Sequence, residues 1–205
     1  GIESHGFCLD IGIEADFQLG QTALPAWLRK PAVFLDRDGV VNVDHNYVAS
    51  ADRFEWIQGA PEAIRWLNEQ GYLVFVVTNQ AGIGRGFYDE AQFREFTAWI
   101  DAQLAERAAH ADKTYFCPHH PTEALGTYRM ECDCRKPRPG MLNQAFAEWP
   151  ADRERSLMIG DKSKDVEAAE AAGIRGFRFR GGDLLEFVRE HVPDLRGEAP
   201  KERPK

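Results

Sequence analysis

What the chain lacks already narrows it. No apolar run in its 205 residues approaches the roughly 20 needed to cross a bilayer as a helix. Basic residues are outnumbered, 25 Lys and Arg against 33 Asp and Glu, giving a formal charge of −8. That balance argues against a nucleic-acid partner, because binding a phosphate backbone needs clustered cations. The opening GIESHGFCLDIGIEADFQLG has no basic start and carries Glu3, Asp10, Glu14 and Asp16, so it does not read as a secretion signal. Cysteines number only four, with no C-x-x-C pair, and three of them fall between positions 117 and 134. Such clustering indicates metal ligation in a reducing compartment, hence the cytoplasm, more than a disulfide framework.

What is present is ordinary for a globular enzyme: 43% hydrophobic and 28% charged residues. Continuous apolar runs at 32–36 (AVFLD), 72–78 (YLVFVVT) and 156–161 (SLMIGD), with shorter ones at 114–117 and 174–180, read as buried parallel strands. Helical patterns lie between them at about 61–70, 89–109, 139–149 and 164–173. The alternation predicts an α/β fold with a doubly wound parallel sheet. Residues 1–30 show weak periodicity and read as an irregular or hairpin-like extension. One domain is expected over 31–192, followed by a charged, Pro-containing tail at 193–205 that reads as disordered.

Three strands end in chemically loaded residues: Asp36 in LDRDG, Thr78 and Asn79 in VTNQ, and Asp161 in GDKSKD. Ligands of open α/β sheets bind outside the carboxyl ends of the strands, so these residues should converge. Asp36 and Asp38 leaving one strand cannot both be buried without a cation. Mg²⁺, bound by Asp36, Asp38 and Asp161, suits a phosphate substrate, with Asp165 one helical turn on. Asp36 then reads as a nucleophile forming an aspartyl-phosphate, and Asp38 as the acid and later the base. Thr78, Asn79, Lys136 and Arg135 supply donors and positive charge to the phosphate. Asp44 and His45 lie on a stretch leaving the catalytic strand and are candidates for sugar contact. Arg85 is a candidate for a distal phosphate or a helix cap, and Lys162 competes with Lys136 as the main charge stabiliser.

Cys117-Pro118-His119 and Cys132-Asp133-Cys134 pair a C-x-H with a C-x-C across twelve intervening residues. Three thiols and an imidazole fit a closed tetrahedral Zn²⁺ site, with His120 a competing ligand. Such a site is structural, and the loop it would fix, about 117–134, runs directly into Arg135 and Lys136.

LDRDGVVN, VTNQAGIGRG, CRKPRPGM and GDKSKD, in that order, resemble the four motifs of the haloacid dehalogenase-like (HAD) phosphatase superfamily. The resemblance implies a Rossmann-like, HAD-type fold with Asp36 as nucleophile, Asp38 as acid/base, Thr78 as phosphate contact, Lys136 as charge stabiliser and Asp161 as metal ligand. CPHHP, CDCRKPRPGM, DRDGVVNVDHNYV and GRGFYDEAQF further resemble the D,D-heptose 1,7-bisphosphate 7-phosphatases, which are capless. That resemblance implies Mg²⁺-dependent removal of the 7-phosphate of D-glycero-D-manno-heptose 1,7-bisphosphate, a step toward lipopolysaccharide heptose. Arg135 and Lys136 match that family's substrate-binding pair. Histidinol-phosphate phosphatase and a non-catalytic phosphosugar-binding module are the alternatives, and a monomer without membrane or nucleic-acid partners is expected.

Overall fold

A computed structural model describes residues 28–195, together with Glu14, Phe17, Gln18, Gly20 and Gln21. The apolar runs become five strands: β1 Lys30–Leu35, β2 Leu73–Asn79, β3 Lys113–Cys117, β4 Ala151–Gly160 and β5 Arg175–Arg178. They form one sheet in the order β3-β2-β1-β4-β5, and every pairing is parallel. Six helices connect or follow them: α1 Ala60–Gln70, α2 Ala81–Gly84, α3 Glu90–Ala105, α4 Gly140–Glu148, α5 Ser163–Ala171 and α6 Leu184–His191. No separate cap domain occurs among the described residues, and none of their helices is long and apolar enough to cross a membrane.

Alternation along the strands sends successive side chains to opposite faces, and each face meets its own helices. Val33, Leu35, Val74, Val76, Leu157 and Ile159 pack with Ile64 and Leu67 of α1, Phe96 and Ile100 of α3, and Leu184 and Val188 of α6. Ala32, Phe34, Phe75, Val77 and Met158 pack on the other side with Met141 and Leu142 of α4 and with Ala168 and Ala169 of α5. Both faces are covered, which is why the strands read as unbroken apolar runs rather than alternating ones.

The helix boundaries follow local chemistry. Pro61 sits in the first turn of α1, and Gly71 closes that helix at φ 93. Asp89 caps α3 by accepting from the Gln92 amide, in a reciprocal capping box. The helix stops at Ala105 rather than about 109, and Ala108 just beyond takes a positive φ of 54. Helix α6 was absent from the sequence-based pattern, yet its signal is there: the Asp183 side chain accepts from Leu185 and Glu186 amides ahead of the buried pair Leu184 and Val188. Glu14, Phe17, Gln18, Gly20 and Gln21 are helical, not irregular or hairpin-like. The rest of that extension up to residue 27 and residues 196–205, most of the tail expected to be disordered, lie outside the described residues.

Phe34 is fully buried in the centre of the sheet, its ring centroid 5.2 Å from that of Phe75 and 5.3 Å from that of Phe146. Phe34→Ala is expected to cost about 3–5 kcal/mol of unfolding free energy, measured by chemical denaturation.

Candidate active site

The chain order reverses between β1 and β4, which pair directly although about 120 residues separate them. Beyond their carboxyl ends lie Asp36 and Asp161, and the Asp36 amide donates to the Ile159 carbonyl at 2.9 Å. Thr78 and Asn79 close the neighbouring β2. The topology therefore brings together the three loaded strand ends, as the switch-point argument expects.

Asp36 lies at the floor of this crevice. Its Oδ1 is 2.8 Å from Lys136 Nζ and accepts from the Arg37 amide at 2.8 Å. Lys136 is itself sealed from solvent, and its ammonium also meets Asp165 Oδ1 at 2.7 Å and the Val77 carbonyl at 2.7 Å. The ammonium thus donates to one carbonyl and forms ion pairs with two carboxylates, while Asp165 Oδ1, like Asp161 Oδ1, is left without a hydrogen-bond donor. Burial disfavours its charge, but Asp36 and Asp165 outweigh burial and hold its pKa above the ordinary lysine value. For Asp36 burial wins over the attraction of Lys136, and Asp165 adds repulsion, lifting the carboxyl to about 6. Lys162, the competing cation, sits at the rim, 2.9 Å from Asp44 and 3.6 Å from Asp161.

Asp38 lines the same cleft as Asp36 but has its own set of donors. Arg37 Nη2 donates to both its oxygens at 2.9 and 3.0 Å, Asn42 donates at 3.1 Å and Gln80 at 3.0 Å. Arg37 is only 2% exposed, lies over the rings of Phe93 and Phe96, and donates to the Val48 carbonyl at 2.6 Å. Arg37, Gln80 and Tyr88 were not among the expected site residues. Arg37 carried a readable signal, since an arginine between two aspartates on a buried strand end must find a carboxylate.

Carboxylate oxygens of Asp36, Asp161 and Asp165 come within 4.8 Å of one another, a grouping that includes Asp165 in place of Asp38. Asp161 Oδ1 is buried without a hydrogen-bond donor, an orphan acceptor of the kind a cation satisfies. Glycine at position 39, at φ 94, is needed here, because a Cβ would lie 2.5 Å from Asp161 Oδ2. An all-oxygen, multiply anionic donor set fits a hard divalent cation.

Around this floor runs a cleft of about 190 Å³, lined in part by Asp44, Tyr47, Thr78, Arg85, Arg135, Lys162 and Lys164. Its rim is basic while its floor is acidic, suiting a phosphate ester over a cation. Arg85 pairs with Glu123, lies over the Tyr47 ring and lines the cleft; its backbone closes α2 as the C-cap, while the following helix α3 is capped by Asp89. Asn79 lines the cleft, and its side chain also clamps the Lys136 backbone, donating to its carbonyl and accepting from its amide at 3.0 Å each. His45 pairs with Glu55 at 3.0 Å and lines an adjoining depression rather than the cleft. Lys164, which had not been singled out, lines the cleft.

Cys117, His119, Cys132 and Cys134 form a second donor cluster, with neighbouring Sγ and Nδ1 atoms 3.1–3.8 Å apart. Those spacings approach the edges of a tetrahedron built on metal–sulfur bonds of about 2.3 Å. The three cysteines form no disulfide. The Cys117 contact holds the Cys134 thiol down to about 5, while Cys117, hydrogen-bonded to Cys134 and buried, is pushed up. His120 is engaged elsewhere: its Nδ1 accepts from the Glu123 amide at 3.0 Å. The cluster is tied to the cleft at two points. The Gln80 amide donates to the Cys117 carbonyl at 2.7 Å, and Arg135 Nη1 donates to the His119 carbonyl at 2.9 Å.

A HAD-hydrolase-like family model matches residues 133–190. The chain is 46% identical over 167 residues to a D-glycero-β-D-manno-heptose-1,7-bisphosphate 7-phosphatase from Rhodopseudomonas palustris, covering 82% of this chain and 93% of the relative. A Pasteurella multocida protein of the same name is 50% identical over 146 residues, 71% of this chain and 79% of its own. Among solved structures, the D,D-heptose 1,7-bisphosphate phosphatase of B. bronchiseptica, complexed with magnesium and phosphate, is similar with a TM-score of 0.67 and 30% identity, covering 80% of this chain and 89% of that one.

The raised Asp36 pKa has a thermodynamic signature. Its folded value, about 6, exceeds the reference value of 3.8, so its contribution to stability is present below pH 4 and is lost as the pH rises through 6. Asp36→Asn should therefore melt at a higher temperature than the parent protein at pH 7 without added magnesium. The difference should vanish near pH 4 in thermal melts.

Proposed function

The chain belongs to the D-glycero-β-D-manno-heptose-1,7-bisphosphate 7-phosphatases within the HAD-like hydrolases, and from that membership we propose that it removes the 7-phosphate of the β-anomer through a phosphorylated Asp36. It is a phosphatase. The observation that supports Asp36 most directly is the buried ammonium of Lys136 at 2.8 Å, beneath a cleft with a basic rim. Lys136 and the Arg37 amide both engage Oδ1, so Oδ2 is the oxygen left to attack phosphorus. As the Asp36–phosphorus bond forms, the bond from phosphorus to the sugar oxygen breaks, and Asp38 protonates that leaving oxygen. In the second half Asp38 takes a proton from water, which attacks phosphorus and frees Asp36. Thr78 binds a phosphoryl oxygen, and Arg135, Lys162 and Lys164 hold the far phosphate. Asp36, Asp161 and Asp165 would hold Mg²⁺, which would supply charge neutralisation for the phosphoryl group.

Cys117, His119, Cys132 and Cys134 would hold Zn²⁺ in a structural role, keeping His119 and hence Arg135 in place. Free thiols fit a reducing cytoplasm, and the substrate is a small phosphosugar met by a single subunit.

Asp36→Asn should abolish turnover while the fold persists by circular dichroism; retained turnover would sink the nucleophile. The ratio kcat/KM should favour the β-anomer of heptose 1,7-bisphosphate by about tenfold or more over the α-anomer and over histidinol phosphate. A preference for histidinol phosphate would overturn the substrate. Stripping zinc with a chelator, then restoring magnesium, should open residues 118–134 to limited proteolysis and raise KM more than it lowers kcat. A loop that stays protected with unchanged kinetics would contradict the structural role.

A further inference from the structure

Three hydrogen bonds that the chemistry above leaves unused meet at Gln80. Its Nε2 donates to Thr78 Oγ1 at 2.7 Å and to Asp38 Oδ2 at 3.0 Å, while its Oε1 accepts from the Tyr88 hydroxyl at 2.6 Å. Gln80 is only 2% exposed, so water cannot substitute for a mismatched partner at either end of the amide. The NH₂ end must face Asp38, because an amide oxygen against that carboxylate would be repulsive. The oxygen end then requires a donor, and Tyr88 is the one within reach. Burial pushes the Tyr88 phenol up to about 12, keeping it protonated.

The same amide decides what Thr78 can do. A hydroxyl has a single proton, and Thr78 Oγ1 already accepts from Gln80, so its own O–H is left to donate elsewhere. Thr78 lines the cleft, where a phosphoryl oxygen would be the acceptor. Tyr88 reaches its post because the ring lies flush on Gly82: a Cβ there would come 2.5 Å from Cε1 and 2.7 Å from the hydroxyl.

We propose that Gln80, held in one orientation by Tyr88, is a positioning residue that turns the Thr78 hydroxyl proton toward the phosphoryl group and aims Asp38 at the leaving oxygen. This rests on the phosphatase reading above, with Asp38 as the proton donor.

The test compares Tyr88→Phe, Gln80→Met and Gly82→Ala in the full-length, metal-loaded chain on two kinds of ester. Heptose bisphosphate and β-glycerophosphate have alkoxide leaving groups that need a proton, whereas p-nitrophenyl phosphate does not. In Tyr88→Phe, kcat on the alkyl esters should fall about tenfold or more with KM changed less than about threefold. On p-nitrophenyl phosphate the loss should be clearly smaller. Inhibition by inorganic phosphate should weaken as the Thr78 donor is lost. Gly82→Ala, which displaces the ring without touching the phenol, should reproduce the pattern and so guards against Gln80→Met failing to fold. Equal losses on both ester classes would mark a purely structural role and overturn the inference, as would wild-type behaviour of Tyr88→Phe. If the parent enzyme splits β-glycerophosphate but not heptose bisphosphate, the substrate assignment fails and the β-glycerophosphate comparison still decides this one.

Discussion

The structure turns on one buried ammonium. The Lys136 side chain is shut off from solvent, donates to the Val77 carbonyl and forms ion pairs with Asp36 and Asp165. Removing this lysine would leave the buried carboxylates of Asp36 and Asp165 uncompensated, at a cost of about 3–5 kcal/mol. The surrounding chain is arranged to hold this lysine. Asn79 grips its backbone from both sides, tying the loop that carries it to the end of β2. Asp165 reaches it from α5, and its oxygen Oδ2 accepts from the Lys162 amide. Two carboxylates around one ammonium leave net negative charge at the crevice floor, and Asp161 adds to it. A hard cation together with an anionic ester would complete that balance.

A second layer of contacts organises Asp38. Arg37 is as buried as the core phenylalanines and forms a bridge between Asp38, the aromatic face of α3 and the Val48 carbonyl. Val48 ends the stretch that carries Asp44 and Tyr47 into the cleft, so acid, loop and helix share one guanidinium. The cysteine–histidine cluster does the corresponding work on the opposite side. Through the carbonyls of Cys117 and His119 it meets both Gln80 and Arg135. A sheet of five parallel strands supplies the rigid base from which these loops rise.

Much of this was legible before any coordinates. Buried strands read as continuous apolar runs because both faces of the sheet are covered, and the alternation with helices left little choice of topology. Asp36, Thr78 and Asp161 were visible as polar residues ending apolar strands, and the mirrored spacing of Cys117, His119, Cys132 and Cys134 announced a four-donor cluster. Asn79 and His45 were less legible. Each has a side chain able to meet a ligand, and residue type alone does not say that Asn79 bonds the Lys136 backbone or that His45 turns to Glu55. Helix α6 was less legible because its eight residues make only about two turns, too few for a helical period to stand out.

The sequence by itself determined the strand–helix alternation, the chemistry available at each strand end and the ligand types of the cysteine loop, since these depend on local pattern and on side-chain chemistry. Only the tertiary structure decided that Lys136 and not Lys162 sits against Asp36, that Asp165 joins Asp36 and Asp161, and that Tyr88 and Gln80 stand behind Thr78 and Asp38. Those outcomes depend on crossovers that bring together residues up to about 130 positions apart, and on the requirement that every buried polar group there find its partner.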